Sequence, residues 1–261
     1  MRDLVLRAER QRRVSSLAEH SDASHIVDIC QIVGDGDDDT TRALLCNDGT
    51  LVRVDGSGSV TWKCHLDDAC AGTRKSDWFS LTMADPGLVC MSKSGAIVTV
   101  SPETGQAELV GEFENGIEAG AWSPDRELFL LVTFAEAEHD ETAKKSVLLS
   151  MNSNWEVLAE VAMENSMASS ESDDFQVSIC WRPDGTLVAV SSVDVSDTMR
   201  KIRVYNRETL ALDAVGRTED GSGKLAPNLQ ATDIAWAGQG CSQVLAAIQR
   251  KGKKAQQVAF F

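Results

Sequence analysis

The stretch Ile117-Glu118-Ala119-Gly120-Ala121-Trp122-Ser123-Pro124-Asp125-Arg126-Glu127-Leu128-Phe129-Leu130-Leu131-Val132-Thr133-Phe134 decides how the rest of the chain is read. It predicts a strand ending at Trp122, a tight turn through Ser123-Pro124-Asp125-Arg126, and a second strand from Leu128 to Val132. Proline presets the φ angle needed at the second position of a type I turn, and Asp is favoured beside it. The run Leu128-Phe129-Leu130-Leu131-Val132 does not alternate, so protein is expected on both of its faces. The phrase recurs at Cys180-Trp181-Arg182-Pro183-Asp184-Gly185-Thr186-Leu187-Val188-Ala189-Val190, with a worn copy at Ala235-Trp236-Ala237-Gly238-Gln239-Gly240. A repeated hairpin makes a repeat fold.

Upstream of that stretch the same grammar holds. Ile26 to Val33 reads as a strand, an acidic turn runs from Gly34 to Thr40, and Ala43-Leu44-Leu45-Cys46 follows. Asn47-Asp48-Gly49 is a strong hairpin signal, because Asp-Gly suits the positive φ angles of a tight turn, and Leu51 to Asp55 returns. The pattern begins again at Trp78 to Thr82, turns at Asp85-Pro86-Gly87, and continues through Leu88 to Met91 and Ile97 to Ser101. Glu108-Leu109-Val110 supplies an outer strand. The third unit closes along Ser146 to Met151, a fourth spans Gln176 to Tyr205, and a fifth runs from Thr232 to the last residue.

The third strands align at Val54, Val100, Met151, Tyr205 and Phe260. A four-stranded unit recurring every ~40–45 residues, stretched by longer loops, marks a β-propeller blade. The expected fold is therefore all-β, an incomplete WD-repeat-type β-propeller with about five of an expected seven four-stranded blades. Residues 1–261 are expected to form the N-terminal part of one propeller, with blades at about 26–64, 78–113, 117–161, 176–215 and 232–261. The innermost strand of a blade lines a central channel and the fourth faces solvent, which fits apolar middle strands beside alternating outer ones. Acidic or Ser-rich stretches at Ala135 to Glu141, Met163 to Asp174 and Thr218 to Pro227 lack packing residues and are expected as rim insertions. The sequence stops inside the fifth unit without an outer strand, so a longer parent protein or a truncation is expected.

Composition narrows the function classes. Hydrophobic residues make up 43% of the 261, enough for a core, but apolar runs stay near ~5 residues, far below the ~20 that cross a bilayer. The arginine-rich opening is interrupted by Asp3 and Glu9 and contains the strand-like Leu4-Val5-Leu6, against a mitochondrial presequence. A net charge of −15 repels phosphate, so no direct nucleic-acid binding is expected from this segment, and no membrane contact. The seven cysteines (30, 46, 64, 70, 90, 180 and 241) include no Cys-x-x-Cys, and Cys46, Cys90 and Cys180 read as small core residues in a reducing compartment.

Asp35, Asp37 and Asp39 take the first side-chain positions of an EF-hand loop, but Thr40 stands where Gly is needed and Cys46 where Glu is needed. His20 and His25 lack a third ligand, and Cys64, His65 and Cys70 match none of the usual zinc spacings. Gly34-x-Gly36 lacks the further glycine and helix of a dinucleotide site, and no P-loop or Gly-x-Ser-x-Gly elbow occurs. Arg250-Lys251-Gly252-Lys253-Lys254 could pass for a nuclear-import or nucleic-acid patch, but it falls where the fifth blade needs a hairpin tip. Trp122, Trp181 and Trp236 read as blade-to-blade core residues. No catalytic, cofactor-binding or metal-binding residue is assigned, and no cofactor is expected.

Two stretches carry a family resemblance. Gly116-Ile117 with Trp122-Ser123-Pro124-Asp125 and Glu127-Leu128, and Val177 with Trp181-Arg182, Asp184-Gly185 and Ala189-Val190-Ser191, resemble the first propeller of the largest, scaffold subunit of the Elongator complex. The string Arg200-Lys201-Ile202-Arg203-Val204-Tyr205-Asn206-Arg207-Glu208 is the most specific part, and Ala235-Trp236 and Gln257 to Phe261 continue it in order. Met1-Arg2-Asp3-Leu4 is similar too, although the likeness is thin before residue 110. The Trp-Asp dipeptide of standard WD repeats is replaced by Val54-Asp55, Val100-Ser101 and Tyr205-Asn206, and Gly238-Gln239-Gly240 stands for Pro-Asp-Gly. The resemblance implies a non-catalytic scaffold of a cytoplasmic assembly, with the nucleus as a second location, that modifies the wobble uridine of tRNA. Its partners would be the other Elongator subunits, with the chemistry in a different subunit. Homodimerisation and the tRNA contacts would lie in C-terminal regions absent from this segment. The competing readings are a generic WD-repeat adaptor of another complex, and a propeller hydrolase whose active residues lie in missing blades.

Overall fold

The computed structural model describes residues 25–32, 41–70, 77–85, 87–137, 140–167, 177–194, 199–217, 232–236, 245–251 and 255–260. Apart from one 3-10 turn at Leu66–Asp68, the regular elements among them are strands. The first group is β1 (Ile26–Ile32), β2 (Thr41–Cys46), β3 (Thr50–Val54) and β4 (Val60–His65). The second is β5 (Trp78–Met83), β6 (Leu88–Ser92), β7 (Ala96–Val100) and β8 (Ala107–Glu112). The third is β9 (Ile117–Trp122), β10 (Leu128–Ala137), β11 (Asp140–Asn152) and β12 (Val157–Met167). The fourth is β13 (Ser178–Trp181), β14 (Leu187–Asp194), β15 (Met199–Asn206) and β16 (Leu212–Arg217). Finally come β17 (Thr232–Trp236), β18 (Leu245–Lys251) and β19 (Ala255–Phe260).

Within each group the strands are neighbours in chain order, the meander of a propeller blade. The third and fourth groups are joined into one eight-stranded sheet by a single pairing, Ser166↔Asp194, between β12 and β14. The fold is an incomplete all-β, WD-repeat-type propeller, with four four-stranded blades and three strands of another among the described residues.

The chain divides into two compact units: Met1–Cys90 with Val98–Leu109, and Met91–Ile97 with Val110–Phe261. In the first, both faces of the β2–β3 pair are buried. Leu45 and Leu51 face one side at 0% exposure, while Leu44, Val52 and Val54 cluster on the other. In the second, Phe129 to Val132 are each 0% exposed, as their unbroken apolar run predicts. Leu130, Val132 and Leu148 meet Trp181, Val188 and Val190 of the next blade. The opposite face of β14 contributes Ala189, which packs with Ile202, Val204 and Ile234. Full burial of each such side chain contributes about 1.5–3 kcal/mol, so the blade-to-blade layers hold much of the stability.

Two expected rim insertions are strand over the residues that are described. β10 continues to Ala137 and β11 starts at Asp140, inside the Ala135 to Glu141 stretch. β12 likewise runs to Met167, past the start of the Met163 to Asp174 stretch. The ladder carries on through Ala135↔Lys145 and Glu136↔Lys144, because continuing it satisfies backbone N–H and C=O groups even without apolar side chains. The Thr218 to Pro227 stretch, the Gly34 to Thr40 turn and the Leu4 to Leu6 strand lie outside the described residues.

Candidate interaction surface

The tryptophans that end the first strands of successive blades form a relay. Trp181 donates its indole N–H to the Ala121 carbonyl at 3.1 Å, and Trp236 donates to the Cys180 carbonyl at 3.0 Å. Each acceptor is the residue immediately before the preceding blade's tryptophan. A strand places consecutive side chains on opposite faces, so a tryptophan at this register points across the seam while its neighbour's carbonyl stays in reach. The Arg182 guanidinium lies 5.9 Å from the centre of the Trp236 ring and adds a cation–π contact.

Trp122 departs from the pattern. Its indole nitrogen is buried without an acceptor. The ring packs instead against Phe129 at 5.0 Å and Trp155 at 5.8 Å, with Phe129 and Trp155 5.7 Å apart. In the first unit the blade contacts use other residues. Arg53 and Trp62 both donate to the Pro102 carbonyl at 2.6 and 2.8 Å, and the Trp78 indole donates to Asp67 at 2.9 Å. Asp28 accepts from the Leu81 amide at 2.8 Å.

On the rim of the second unit, the β9–β10 turn and the turn after β15 meet. Arg207 forms an ion pair with Asp125 and a second one with Glu127 at 3.0 Å. Asp125 also accepts from the Ser123 hydroxyl at 2.6 Å and from the Glu127 amide at 3.1 Å. The Arg207 and Ser123 hydrogen bonds hold its carboxyl down at about 2. In the next blade Arg182 pairs with Asp184 at 2.7 Å, and that bond with the Thr186 amide pulls the Asp184 carboxyl well below the usual carboxylate range. The rim is thus a set of ion pairs on tight turns, built for shape and charge.

Chemistry-bearing candidates stay apart. Cys64 and His65 end β4 and Cys70 follows the 3-10 turn, yet among the described residues no three metal-ligating side chains converge. Burial pushes the Cys64 thiol up to about 11 and raises those of Cys90 and Cys180, which disfavours thiolate nucleophiles. A cleft lined by Gly87, Thr99, Val100, Ser101, Gln106 and Glu108 offers one carboxylate and no histidine, cysteine or lysine. Arg250 and Lys251 end β18, with Lys251 opposite Ala255 across the hairpin. His20, Asp35, Asp37, Asp39, Cys241 and residues 252–254 lie outside the described residues. Residue reading found the relay tryptophans but missed Trp155 and the reach of Arg207. The one available signal for Trp155 was an aromatic inside the polar turn Asn152-Ser153-Asn154-Trp155-Glu156.

The chain is similar to Elongator complex protein 1 of Schizosaccharomyces pombe, 26% identical over 188 residues and 55% of this chain. It is 30% identical to the Rattus norvegicus protein of that name over 216 residues, 69% of this chain. It spans 14% of the length of each. Among solved structures, Saccharomyces cerevisiae Sqt1 aligns with a TM-score of 0.59 at 15% identity, over 90% of this chain and 59% of that one. The WD40 domain of Toxoplasma gondii coronin gives 0.55 at 11%, over 85% and 55%. Those two likenesses concern the fold alone. The family model described as ELP1 first N-terminal beta-propeller matches residues 59–170 and 164–261. With the blade meander and the relay on the same residues, the chain belongs to the family of the first N-terminal β-propeller of ELP1.

Proposed function

We propose that this segment is a non-catalytic part of an Elongator scaffold subunit, holding partner subunits through its propeller surfaces and so supporting wobble-uridine modification of tRNA. The observation that carries the reading is the family match across residues 59–261. The ion pairs of Arg207 with Asp125 and Glu127, which tie one turn to another, support it. Ion pairs of this kind between turns fix the shape of a surface. On this reading the modification chemistry, the tRNA contacts and any homodimerisation belong elsewhere in the assembly, and the protein works in the cytoplasm.

The test is purification of the tagged full-length gene product from its own cells, followed by mass spectrometry. The other Elongator subunits are expected in stoichiometric amounts, with a fluorescent fusion excluded from membranes and concentrated in the cytoplasm. Recovery of a different assembly, with no Elongator subunit, would refute the reading.

A further inference from the structure

The fourth strand carries the same irregularity in the first, third and fourth blades. In β4, Val60 faces Val54 and Trp62 faces Arg53, so Thr61 has no residue opposite it. In β16, Leu212 faces Tyr205 and Ala214 faces Val204, which leaves Asp213 over. In β12, Val157 faces Met151 and Ala159 faces Ser150, which leaves Leu158. An extra residue of this kind is a β-bulge, which re-aims a side chain. Thr61 and Asp213 are exposed, as polar residues at a solvent-facing place should be. Leu158 is 57% exposed, the most of any large hydrophobic residue among those described.

Leu158 does not stand alone. Val157 beside it is 52% exposed, and the turn leading into β12 adds Trp155, half-buried against Trp122 and Phe129. The Trp155 amide closes that turn onto the Asn152 carbonyl at 3.0 Å. In the sister turns the same bond is made by Gly58, by Gly105 and by Leu210, whose side chain is buried. None of these sister turns and bulges exposes an apolar side chain. The third blade alone gathers three within four residues. A fourth strand lies on the outer wall of its blade, and blades join face to face, so a further blade of the same ring does not cover it. Apolar side chains gathered on such a wall mark a surface for something outside the ring.

Charge narrows the partner. Between Asn152 and Met163 the charged residues are Glu156 and Glu160, both exposed, and no lysine or arginine occurs. The Asn152 side-chain amide holds the Glu156 carboxylate at 2.7 Å. In a chain of net charge −15 these acids repel a polyanion and attract cations. An apolar centre with a charged border is the make-up of a protein interface, with its dry core and polar rim. We propose that the Trp155 to Glu160 edge of the third blade docks a segment of another subunit in which a Leu-, Met- or Phe-sized side chain is flanked by Lys or Arg; this rests on the scaffold reading above. The apolar side chain covers Val157 and Leu158, and the basic ones meet Glu156 and Glu160.

The experiment uses the full-length protein in its own cells, with a photo-crosslinking residue at position 158. Its variants are Leu158→Thr, Leu158→Asp, the double change Glu156→Lys with Glu160→Lys, and Val215→Asp on β16. Leu158→Thr and Leu158→Asp install what the first and fourth blades carry at the bulge, so the thermal midpoint should hold. Both should weaken retention of one subunit by ~10-fold or more, as loss of an interface anchor does. The double lysine change should weaken the same subunit, Val215→Asp should not, and the crosslink should map to an apolar segment with flanking Lys or Arg. A lowered midpoint in Leu158→Thr would show that the side chain serves the fold, and the proposal falls. Unchanged retention in Leu158→Asp or in the double lysine change also overturns it, as does an equal loss in Val215→Asp. A crosslink to RNA, to a second copy of this chain, or to nothing does the same. If wild-type protein recovers another assembly and no Elongator subunit, the scaffold reading fails, while a crosslink to a basic, apolar segment of that assembly still upholds the docking edge.

Discussion

Asp125 is the residue through which acidity should reach the seam between the third and fourth blades. Its folded-state carboxyl sits at about 2, below the ordinary 3.8, because Arg207 and Ser123 donate to the charged form. A group depressed in this way adds stability above its unfolded value and loses it as pH falls through the folded one. The stability of the second unit should therefore decline between about pH 4 and pH 2, modestly because the side chain is 41% exposed. Asp125→Asn should flatten that part of the curve, read by tryptophan fluorescence, while lowering stability at neutral pH. Trp181 and Trp236 were legible in the sequence because each closes an apolar strand before a turn. Arg207 was not: its partners lie 80 and 82 positions away, and a turn's own residues do not say which other turn it faces. Trp155 escaped for a related reason, since its place beside Trp122 and Phe129 is set by packing that only the folded state supplies.

At the level of elements, turn chemistry separated the strands and non-alternating runs located the buried ones. Strand ends were less readable. The β10–β11 hairpin extends from Leu128↔Asn152 to Ala137↔Asp140, past the apolar run that ends at Phe134. Backbone pairing persists there through a largely polar stretch, and such a sequence cannot be told from a loop. The two halves should differ in dynamics. Amides of Leu130 to Val132, whose side chains are 0% exposed, should exchange at the rate of global unfolding. Those of Lys144 and Lys145 should exchange orders of magnitude faster through local opening, as followed by hydrogen–deuterium exchange mass spectrometry. Equal protection along the hairpin would mean that another element covers its far end.

For the whole molecule, charge is the dominant property that the sequence alone determines. With 40 acidic against 25 basic side chains, the segment should give no shift of tRNA in a gel at ~0.15 M salt, where only a dense basic patch sustains binding. A shift that vanished with rising salt would instead reveal such a patch. The relay has a consequence for how such a chain grows. The fourth blade carries both a tryptophan hook, Trp181, and, one residue earlier at Cys180, the eye that receives the next hook. A duplicated blade would thus arrive with both halves of its fastening already encoded. Blade number in such a chain can then change by copying, without any seam having to be invented afresh.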